Sequence, residues 1–348
     1  MRIKNPLRSL VKVLFMKAPI EAQLIVTRRC NLSCGYCTEH DHSSGLVPFE
    51  ILKDRVDALH RLQVTNITLL GGEPLLHPQI AEIVAHADSQ AQVSITTNGF
   101  LLSDRLIERL NGAGLSNMQI SIDTVCPDTS GYIQKSVKLV APKLERLKRL
   151  ARFDVHVHVV LCKDSKDQFI TTLHELGKLG FFVSVGLVHD ERGMVMVNGS
   201  DYLDLWDHFF RKGTPISFIE YEYGKQLLQG QRPIWQCRAG ARYLYVDEFG
   251  NAQFCSAQRG RLSKPIMEYT GEDIRQHART YKGCEAGCSL FCVYRSSQVD
   301  NAPLSLAKSV YRMLRRGVPF CGYHWAAPRQ LDRAVSCGRG ASEVSRLD

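Results

Sequence analysis

Short apolar runs alternate with longer segments of helical periodicity between residues 22 and 188. This alternation predicts a parallel sheet, because consecutive parallel strands have to be joined by crossover helices. The predicted strands are 22–27, 66–70, 92–96, 117–122, 154–160 and 181–188, and the predicted helices lie near 49–62, 78–88, 104–111, 134–151 and 167–178. Six such units are too few to close an eight-stranded barrel, so the sequence predicts an α/β fold with an open or partial barrel.

Four of the predicted strands end in segments that suit ligand binding. They are a cysteine-containing loop after residue 27, Gly71-Gly72-Glu73-Pro74, Thr97-Asn98-Gly99 and Ser121-Ile122-Asp123. Ligands of parallel α/β proteins bind at the carboxyl ends of the strands. Glycines permit backbone approach, Glu73 suits an ammonium, Asn98 makes paired hydrogen bonds and Asp123 suits ribose hydroxyls. A tight turn, a turn asparagine and a helix cap explain the last three segments singly, but their shared edge favours a ligand site.

The loop after the first strand contains Cys30, Cys34 and Cys37 with C-x3-C-x2-C spacing. Three cysteines this close together are typical of a metal site. A four-iron cluster is held by three thiolates that leave one iron open, whereas tetrahedral zinc needs a fourth ligand, for which His40 and His42 are nearby. An iron–sulfur cluster is the favoured hypothesis, and zinc and a structurally inert cysteine group are the alternatives.

The amino-acid composition supports a metal site, because the chain is rich in cysteine. The chain has 348 residues, of which 44% are hydrophobic and 23% charged, as in ordinary globular enzymes, but twelve are cysteines. No export signal is predicted, because Lys12 interrupts the first apolar stretch and no small-residue cleavage site follows it. We therefore expect metal ligands rather than disulfides. No apolar run reaches the ~18 residues of a membrane span, and the predicted location is the cytoplasm.

The formal net charge of +9 raises the question of an anionic partner. The charge is concentrated in segments 4–17 and 304–316, where apolar positions share one helical face and Lys or Arg occupy the others. Packing of each helix on its own domain is the favoured interpretation, and peripheral contact with the inner face of the membrane is the alternative. Nucleic acid is not predicted as a partner.

The alternation stops near residue 190, and cysteines return later in the chain. We predict a basic amphipathic helix over 1–20, the partial barrel over 21–190, bridging helices over 191–230 and a smaller cysteine-rich domain over 231–348. The candidate ligands in this last part are Cys237, Cys255, Cys284, Cys288, Cys292 and Cys321, followed by Cys337. Structural zinc is the alternative to iron–sulfur there. Cys126 and Cys162 are expected to be buried apolar side chains, and Cys126 is also a candidate catalytic residue because it follows Asp123.

The cysteine motif with Tyr36 before its third cysteine, the Gly-Gly-Glu-Pro turn and the six-unit parallel sheet together resemble the radical S-adenosylmethionine (SAM) superfamily over roughly residues 20–190. The resemblance implies a partial (β/α)6 barrel with a [4Fe-4S] cluster on Cys30, Cys34 and Cys37, whose fourth iron chelates SAM. It implies that Tyr36 lies beside the adenine and that Gly71, Gly72 and Glu73, before Pro74, bind the methionine ammonium. Thr97, Asn98, Ser121 and Asp123 would border the methionine carboxylate and the ribose. Residues 156–164 match the family's adenine-binding pattern poorly, and no role is assigned there.

The segment from Trp235 to Cys255 resembles the SPASM or shorter twitch extensions of that superfamily, because a hairpin-like stretch ends in Gly250-x4-Cys255. Members with two auxiliary clusters usually close with C-x2-C-x5-C-x3-C, whereas this chain has Cys284-x3-Cys288-x3-Cys292. We therefore predict at least one auxiliary [4Fe-4S] cluster, built from Cys237, Cys255 and two of the three later cysteines. Two clusters are the alternative.

The resemblance implies an enzyme that cleaves SAM reductively, with an electron donor of the flavodoxin or ferredoxin type. The 5′-deoxyadenosyl radical would then abstract a substrate hydrogen, and an auxiliary cluster would favour a net oxidation. We expect a small-molecule or lipid substrate, since residues 1–20 leave no room for a leader-peptide-binding domain; maturation of a ribosomally made peptide is the alternative. A non-catalytic iron–sulfur electron carrier or a zinc-stabilised nucleic-acid-binding protein is a hypothesis of another class, which the polar strand ends disfavour.

Overall fold

The computed structural model describes residues 6–127, 131–210, 217–304 and 323–324. The strands are β1 (Glu21–Thr27), β2 (Asn66–Gly71), β3 (Gln92–Thr97), β4 (Asn117–Ser121), β5 (Asp154–Leu161), β6 (Phe182–Leu187), β7 (Tyr243–Val246), β8 (Asn251–Gln253), β9 (Lys264–Pro265) and β10 (Tyr323–His324). The α-helices are α1 (Pro6–Leu14), α2 (Phe49–Arg61), α3 (Ile80–Ala87), α4 (Asp104–Gly112), α5 (Val137–Leu150), α6 (Phe169–Lys178), α7 (Ser200–Phe210), α8 (Ser217–Leu228), α9 (Gly271–Arg279) and α10 (Phe291–Asn301). Strands and helices alternate from β1 to β6 as the sequence predicts.

All ten strands belong to one sheet with the order β10-β6-β5-β4-β3-β2-β1-β7-β8-β9. Strands β1 to β6 are parallel neighbours in chain order. The sheet does not close on itself, because β6 pairs with β10 and β1 pairs with β7. The predicted α/β fold with a partial barrel is confirmed.

The cysteine-rich part of the chain extends this sheet. The predicted hairpin is formed by β7 and β8, and β9 lies beyond β8. Strand β7 is parallel to β1, with Tyr243 opposite Glu21 and Tyr245 opposite Gln23. This pairing places the segments on either side of β7 next to the first barrel strand, while the proposed boundaries near residues 190 and 230 stay predictions.

The two faces of the barrel sheet differ in polarity. On one face, alternate side chains such as Leu24, Ile95 and Val157 are buried in a single apolar core with the helices. The intervening positions point the other way, because successive side chains of a strand alternate between faces. Most of them are polar, namely Glu21, Gln23, Asn66, Thr68, Ser94, Asn117, Gln119, His156, His158 and Ser184. A parallel sheet covered on both faces has nearly continuous apolar strands, so this second face lines a polar lumen.

Helix α1 does not pack through its apolar face. Leu10, Val11 and Leu14 are 51%, 43% and 46% exposed, and Phe15 is 79% exposed. Lys12 is buried instead, and its Nζ donates to the Gln90 carbonyl at 3.2 Å. The helix therefore contacts its own domain through Lys12 and not through these exposed apolar side chains. The orientation of α1 on the domain is set by Lys12, because its ammonium group binds a backbone carbonyl, and not by the apolar stripe.

The second basic segment, 304–316, lies outside the described residues from 305 onward, and membrane contact by either segment stays a prediction. Within the described ranges, no helix is long and apolar enough to cross a membrane.

Candidate functional site

The loop that follows β1 carries Cys30, Cys34 and Cys37, all three of them free thiols. Cys34 is buried and the other two are half-buried. The loop is held by its own backbone, since Cys37 N–H donates to the Cys34 carbonyl at 3.0 Å. Burial raises the pKa of Cys30 to about 11 and also raises the pKa of Cys34. A raised pKa disfavours the thiolate that a reactive nucleophile needs, whereas a metal that binds a thiol displaces its proton, so these thiols do not suit a nucleophile.

Two glycines allow the β2 loop to lie directly on the cysteine loop. A Cβ at Gly71, where φ is +149°, would lie 1.8 Å from the Thr27 carbonyl oxygen. A Cβ at Gly72 would lie 2.3 Å from the Arg28 carbonyl oxygen. Hydrogen bonds of 2.9 Å from Gly72 N–H to the Thr27 carbonyl and from Glu73 N–H to the Arg29 carbonyl join the two loops. The Gly-Gly pair is therefore required by backbone approach, whatever ligand binds there.

Glu73 is fully buried and connects the loops after β2 and β3. One carboxylate oxygen accepts from Leu75 N–H at 2.9 Å and from Thr97 Oγ1 at 2.6 Å, and the other accepts from Asn98 N–H at 2.8 Å. Burial raises the pKa of Glu73 to about 6. Three of the roughly four acceptor positions of a carboxylate are thus occupied by the protein. A direct contact of Glu73 with an ammonium stays a prediction, as does a ligand role for Pro74, which begins a short 3-10 turn.

Asn98 extends from the β3 loop to the cysteine loop. Its Nδ2 donates to Asn31 Oδ1 at 2.8 Å and lies 3.9 Å from the Cys30 sulfur. An amide N–H directed at a thiolate stabilises the negative charge of the sulfur. The structure thus brings Asn98 to the cluster ligand, a contact that the sequence did not predict.

Asp123 is fully buried just after β4 and is the centre of a second group. It accepts hydrogen bonds from the Tyr36 hydroxyl and, at 3.3 Å, from Val160 N–H. Lys135 Nζ lies 3.3 Å from the same carboxylate and 4.9 Å from the centre of the Tyr36 ring. Burial lowers the pKa of Lys135, but the charges of Asp123, Cys34 and Cys37 and the contact with Asp123 together hold that pKa above its ordinary value. Tyr36 and Asp123, predicted separately, are therefore in direct contact.

Lys135 is a site residue that sequence reasoning missed. It belongs to the segment 131–136 after β4, which returns to the strand end where Asp123 N–H donates to the Lys135 carbonyl at 2.9 Å. The same segment covers the cysteine loop, because Gly35 N–H donates to the Tyr132 carbonyl and a Cβ at Gly35 would lie 2.0 Å from the Tyr132 ring. No residue pattern distinguishes Lys135 from other lysines, since only this chain return places it beside Asp123.

A second group of free thiols lies on the lumen side of β1. Cys237, Cys255 and Cys288 are buried in one apolar cluster that includes Ile25 of β1. Burial, and after it the charges of neighbouring cysteines that include Cys284, raises the pKa of all three. These unpaired thiols lie in apolar surroundings, and their role as ligands of an auxiliary four-iron cluster stays a prediction. Cys292 packs at the edge of the group, beside Tyr243.

The remaining cysteines differ in their bonding state and in whether the structure describes them. Cys162 is buried and free, as predicted. Cys126 is disulfide-bonded, so the expectation of thiols instead of disulfides is wrong at this position, because spacing along the chain does not show which cysteines the fold brings within bonding distance. A catalytic role for Cys126 stays a prediction and would require reduction of that bond. Cys321 and Cys337 lie outside the described residues.

Within the described ranges, no group of three or more His, Cys, Asp or Glu side chains meets at a point where one metal ion would contact all of them. The thiolates of a four-iron cluster bind different irons and need not meet at one point. Zinc at His40 and His42 stays an alternative.

Comparison with known families agrees with this site. Residues 24–176 match the family described as the radical SAM superfamily. The chain contains a radical SAM domain. The cofactors predicted for this domain, a [4Fe-4S] cluster and SAM, are confirmed at the level of the family, and the activity of the whole protein stays a prediction. The hypothesis of a non-catalytic carrier or nucleic-acid-binding protein is not supported.

Similar proteins of known name extend the comparison beyond the radical SAM domain. GTP 3′,8-cyclase 1 of Mycobacterium tuberculosis is 26% identical over 240 residues, which are 59% of this chain and 59% of that protein. GTP 3′,8-cyclase of Aquifex aeolicus is 29% identical over 231 residues, 59% of this chain and 71% of that protein. The chain thus spans about three fifths of the first of these relatives.

Solved structures support the fold. Native anSMEcpe with bound AdoMet has a TM-score of 0.54 at 17% identity, over 85% of this chain and 97% of that one. Streptococcus suis SuiB bound to the precursor peptide SuiA has a TM-score of 0.56 at 15% identity, over 80% of this chain and 71% of that one. At these identities the likeness establishes the fold alone.

The pair of Lys135 and Asp123 yields a prediction about stability. Replacing Lys135 with methionine is expected to lower the free energy of unfolding by about 3–5 kcal/mol, because a fully buried carboxylate loses its cation. The matched control is Lys138→Met on α5, where the lysine is exposed and the expected change is within about 0.5 kcal/mol. Denaturant unfolding of the anaerobically purified proteins measures both. Equal, small changes in the two variants would contradict the assigned role of Lys135.

Proposed function

We propose that this chain cleaves SAM reductively and that the 5′-deoxyadenosyl radical abstracts a hydrogen from a small-molecule or lipid substrate, which is then oxidised. One observation carries the proposal. Two groups of free thiols border the same polar lumen, one after the carboxyl end of β1 and one against Ile25 on the lumen face of that strand.

The two groups of cysteines would have different roles. Cys30, Cys34 and Cys37 would hold the cluster that supplies the electron for cleavage, and Cys237, Cys255, Cys284 and Cys288 would hold an auxiliary cluster able to accept an electron from the substrate. Asn98 directs its amide at Cys30. Tyr36, Asp123 and Lys135 form one hydrogen-bonded and charged wall beside the cysteine loop, suited to adenosine and to the methionine carboxylate.

We choose the ligands of the auxiliary cluster by the burial of each thiol and by the neighbouring charges that act on it. Cys237, Cys255 and Cys288 each respond to Cys284. Cys292 packs against the same cluster and acts on Cys255 as well, but it also contacts Tyr243, and after burial its pKa is raised most by Glu21. We infer one twitch-like auxiliary cluster with Cys292 outside its ligand set. The SPASM or twitch extension itself belongs to this proposal.

Two other substrates follow from the relatives. The similarity to GTP 3′,8-cyclases raises GTP as a candidate. The likeness to SuiB with its precursor peptide keeps peptide maturation as the alternative outcome, although it rests on fold alone. A flavodoxin or ferredoxin would act as the electron donor in each case.

The proposal is tested by SAM cleavage. Anaerobically reconstituted protein supplied with SAM and dithionite is expected to release 5′-deoxyadenosine, quantified by liquid chromatography with mass spectrometry. Omitting dithionite provides the control, because the sulfonium bond is split only after one-electron reduction. Protein that contains its full iron and sulfide and still forms no 5′-deoxyadenosine would overturn the proposed function.

A further inference from the structure

Helix α1 presents apolar side chains to the outside of the domain. Four of them share an arc of about 140° on one side of the helix, namely Leu10, Val11, Leu14 and Phe15, and all four are exposed. Met16, just beyond the helix, is 54% exposed. A helix that packs on a core buries such a stripe, and a contiguous exposed apolar patch marks an interaction site. These five side chains are called the α1 face below.

Polar contacts to the domain hold α1 in this orientation. Besides the contact made by Lys12, Arg242 Nη1 donates to the carbonyls of Val13 and Ala18 at 2.9 Å each. The Arg242 side chain is 2% exposed and pairs with Asp300 at 2.6 Å. Breaking a buried ion pair is strongly destabilising. The end of α1 is therefore fixed to the domain through its backbone carbonyls while the α1 face stays exposed.

Cations flank the α1 face. Residues 1–20 include five Lys or Arg and no Asp or Glu. Arg8 and Lys17 are exposed. Arg8 lies beside Val11, because residues three positions apart are neighbours on a helix, and Lys17 directly follows Met16. An apolar stripe flanked by Lys and Arg is typical of helices that lie in the interface of an anionic membrane.

The same cations disfavour two other occupants of the α1 face. In a symmetric dimer built on this face, the same patch of both copies would meet, and the Arg8 and Lys17 cations of the two copies would be brought together. Residues 305–316 are also basic, since they include Lys308, Arg312, Arg315 and Arg316. Like charges placed across an interface repel each other. An anionic lipid surface instead offers an apolar interior and negative charge together.

We propose that the α1 face docks this protein on an anionic membrane surface. Leu14 and Phe15 enter the boundary between headgroups and acyl chains, and Arg8 and Lys17 lie at the lipid phosphates. The helix lies in the plane of the interface, as amphipathic helices of this type do. The inference does not depend on the proposed function, because the site residues described above lie at the strand ends and in the cysteine-containing segments, not on α1.

The test measures co-sedimentation of the anaerobically reconstituted full-length protein with vesicles. Vesicles of phosphatidylcholine alone are compared with vesicles that also contain phosphatidylglycerol. Binding to the anionic vesicles is expected to be about tenfold or more stronger, because each Lys or Arg near the surface adds to the attraction. It is expected to weaken at about 1 M salt, where the Debye length is about 3 Å. Equal binding to both kinds of vesicle, or binding to neither, would overturn the proposal.

The variant that combines Leu14→Ser with Phe15→Ser tests the apolar part of the contact. It is expected to bind anionic vesicles about tenfold or more weakly, because two apolar side chains no longer leave water. The matched control is Phe249→Ser, since Phe249 is 78% exposed in the turn between β7 and β8 and Phe15 is 79% exposed. The control is expected to bind like the unchanged protein, and thermal unfolding without vesicles checks that both variants keep the fold.

Two further outcomes would contradict the membrane contact. The first is unchanged vesicle binding by the double variant, or an equal loss in Phe249→Ser. The second is a dimer in sedimentation velocity without vesicles that the double variant converts to a monomer, because the α1 face would then be an interface between copies.

Discussion

Cys34→Ala is expected to reduce 5′-deoxyadenosine formation to the level measured without enzyme. Cys34 is the buried member of the motif, and its removal leaves two thiolates where three are needed to hold a four-iron cluster with one open iron. SAM then loses both its anchor and its electron source. The measurement is product formation per reconstituted protein with SAM and dithionite, together with the iron content of the same sample.

Cys162→Ala is the matched control for this result. Cys162 is also a buried free thiol of the barrel segment, and its sulfur lies 3.3 Å from Ser165 Oγ. The variant is expected to keep its cleavage activity, because a small buried thiol is replaced by a small apolar side chain. Cleavage that survives in Cys34→Ala, or is lost equally in both variants, would contradict the role assigned to the motif.

Removing all three motif cysteines is expected to leave about four irons per chain, the content of one auxiliary [4Fe-4S] cluster. The variant is Cys30→Ala, Cys34→Ala and Cys37→Ala combined, and iron and acid-labile sulfide are counted after anaerobic reconstitution. The expectation follows from the four thiols on the lumen side of β1, which share no residue with the motif loop. No remaining iron would refute the auxiliary cluster, and about eight irons would favour two.

Two further substitutions in the triple variant test which thiols are ligands. Cys288→Ala should remove the remaining iron, because Cys288 is buried within the group and close to three other cysteines. Cys292→Ala should leave it in place, because Cys292 contacts Tyr243 at the edge of the cluster. Loss of the iron in Cys292→Ala and its retention in Cys288→Ala would show that Cys292 is a ligand and that Cys288 is not.

The barrel elements were predictable because each one carries its own local signal. The apolar run of β1 and the helical periodicity of α4 are examples, and Ser103 caps α4 by accepting from Leu106 N–H as its position suggests. The polar lumen had a signal too. His156 and His158 alternate with Val157 and Val159 in β5, and such alternation indicates one polar face.

Other features had no local signal. Lys12 looks like a solvated residue of a basic helix, and only the tertiary structure shows that it is buried against the Gln90 carbonyl. Likewise, β7 resembles an ordinary hairpin strand, and nothing within residues 243–246 shows that it pairs with β1. The pairing of β7 with β1 joins residues more than two hundred positions apart, and it depends on the shape of the whole sheet.

The sequence by itself determined the chemistry of the first site, since Cys30, Cys34 and Cys37 lie within one short loop and their spacing limits the metal they suit. It also determined the order of strands β1 to β6, because the helical periodicity of each crossover helix is visible within its own segment. The tertiary structure decided which distant groups meet, namely Lys135 with Asp123, the second thiol group with the lumen face of β1, and Glu21 with Thr68. Burial and electrostatic pairing are properties of assembled surfaces, and that is why these contacts required the fold.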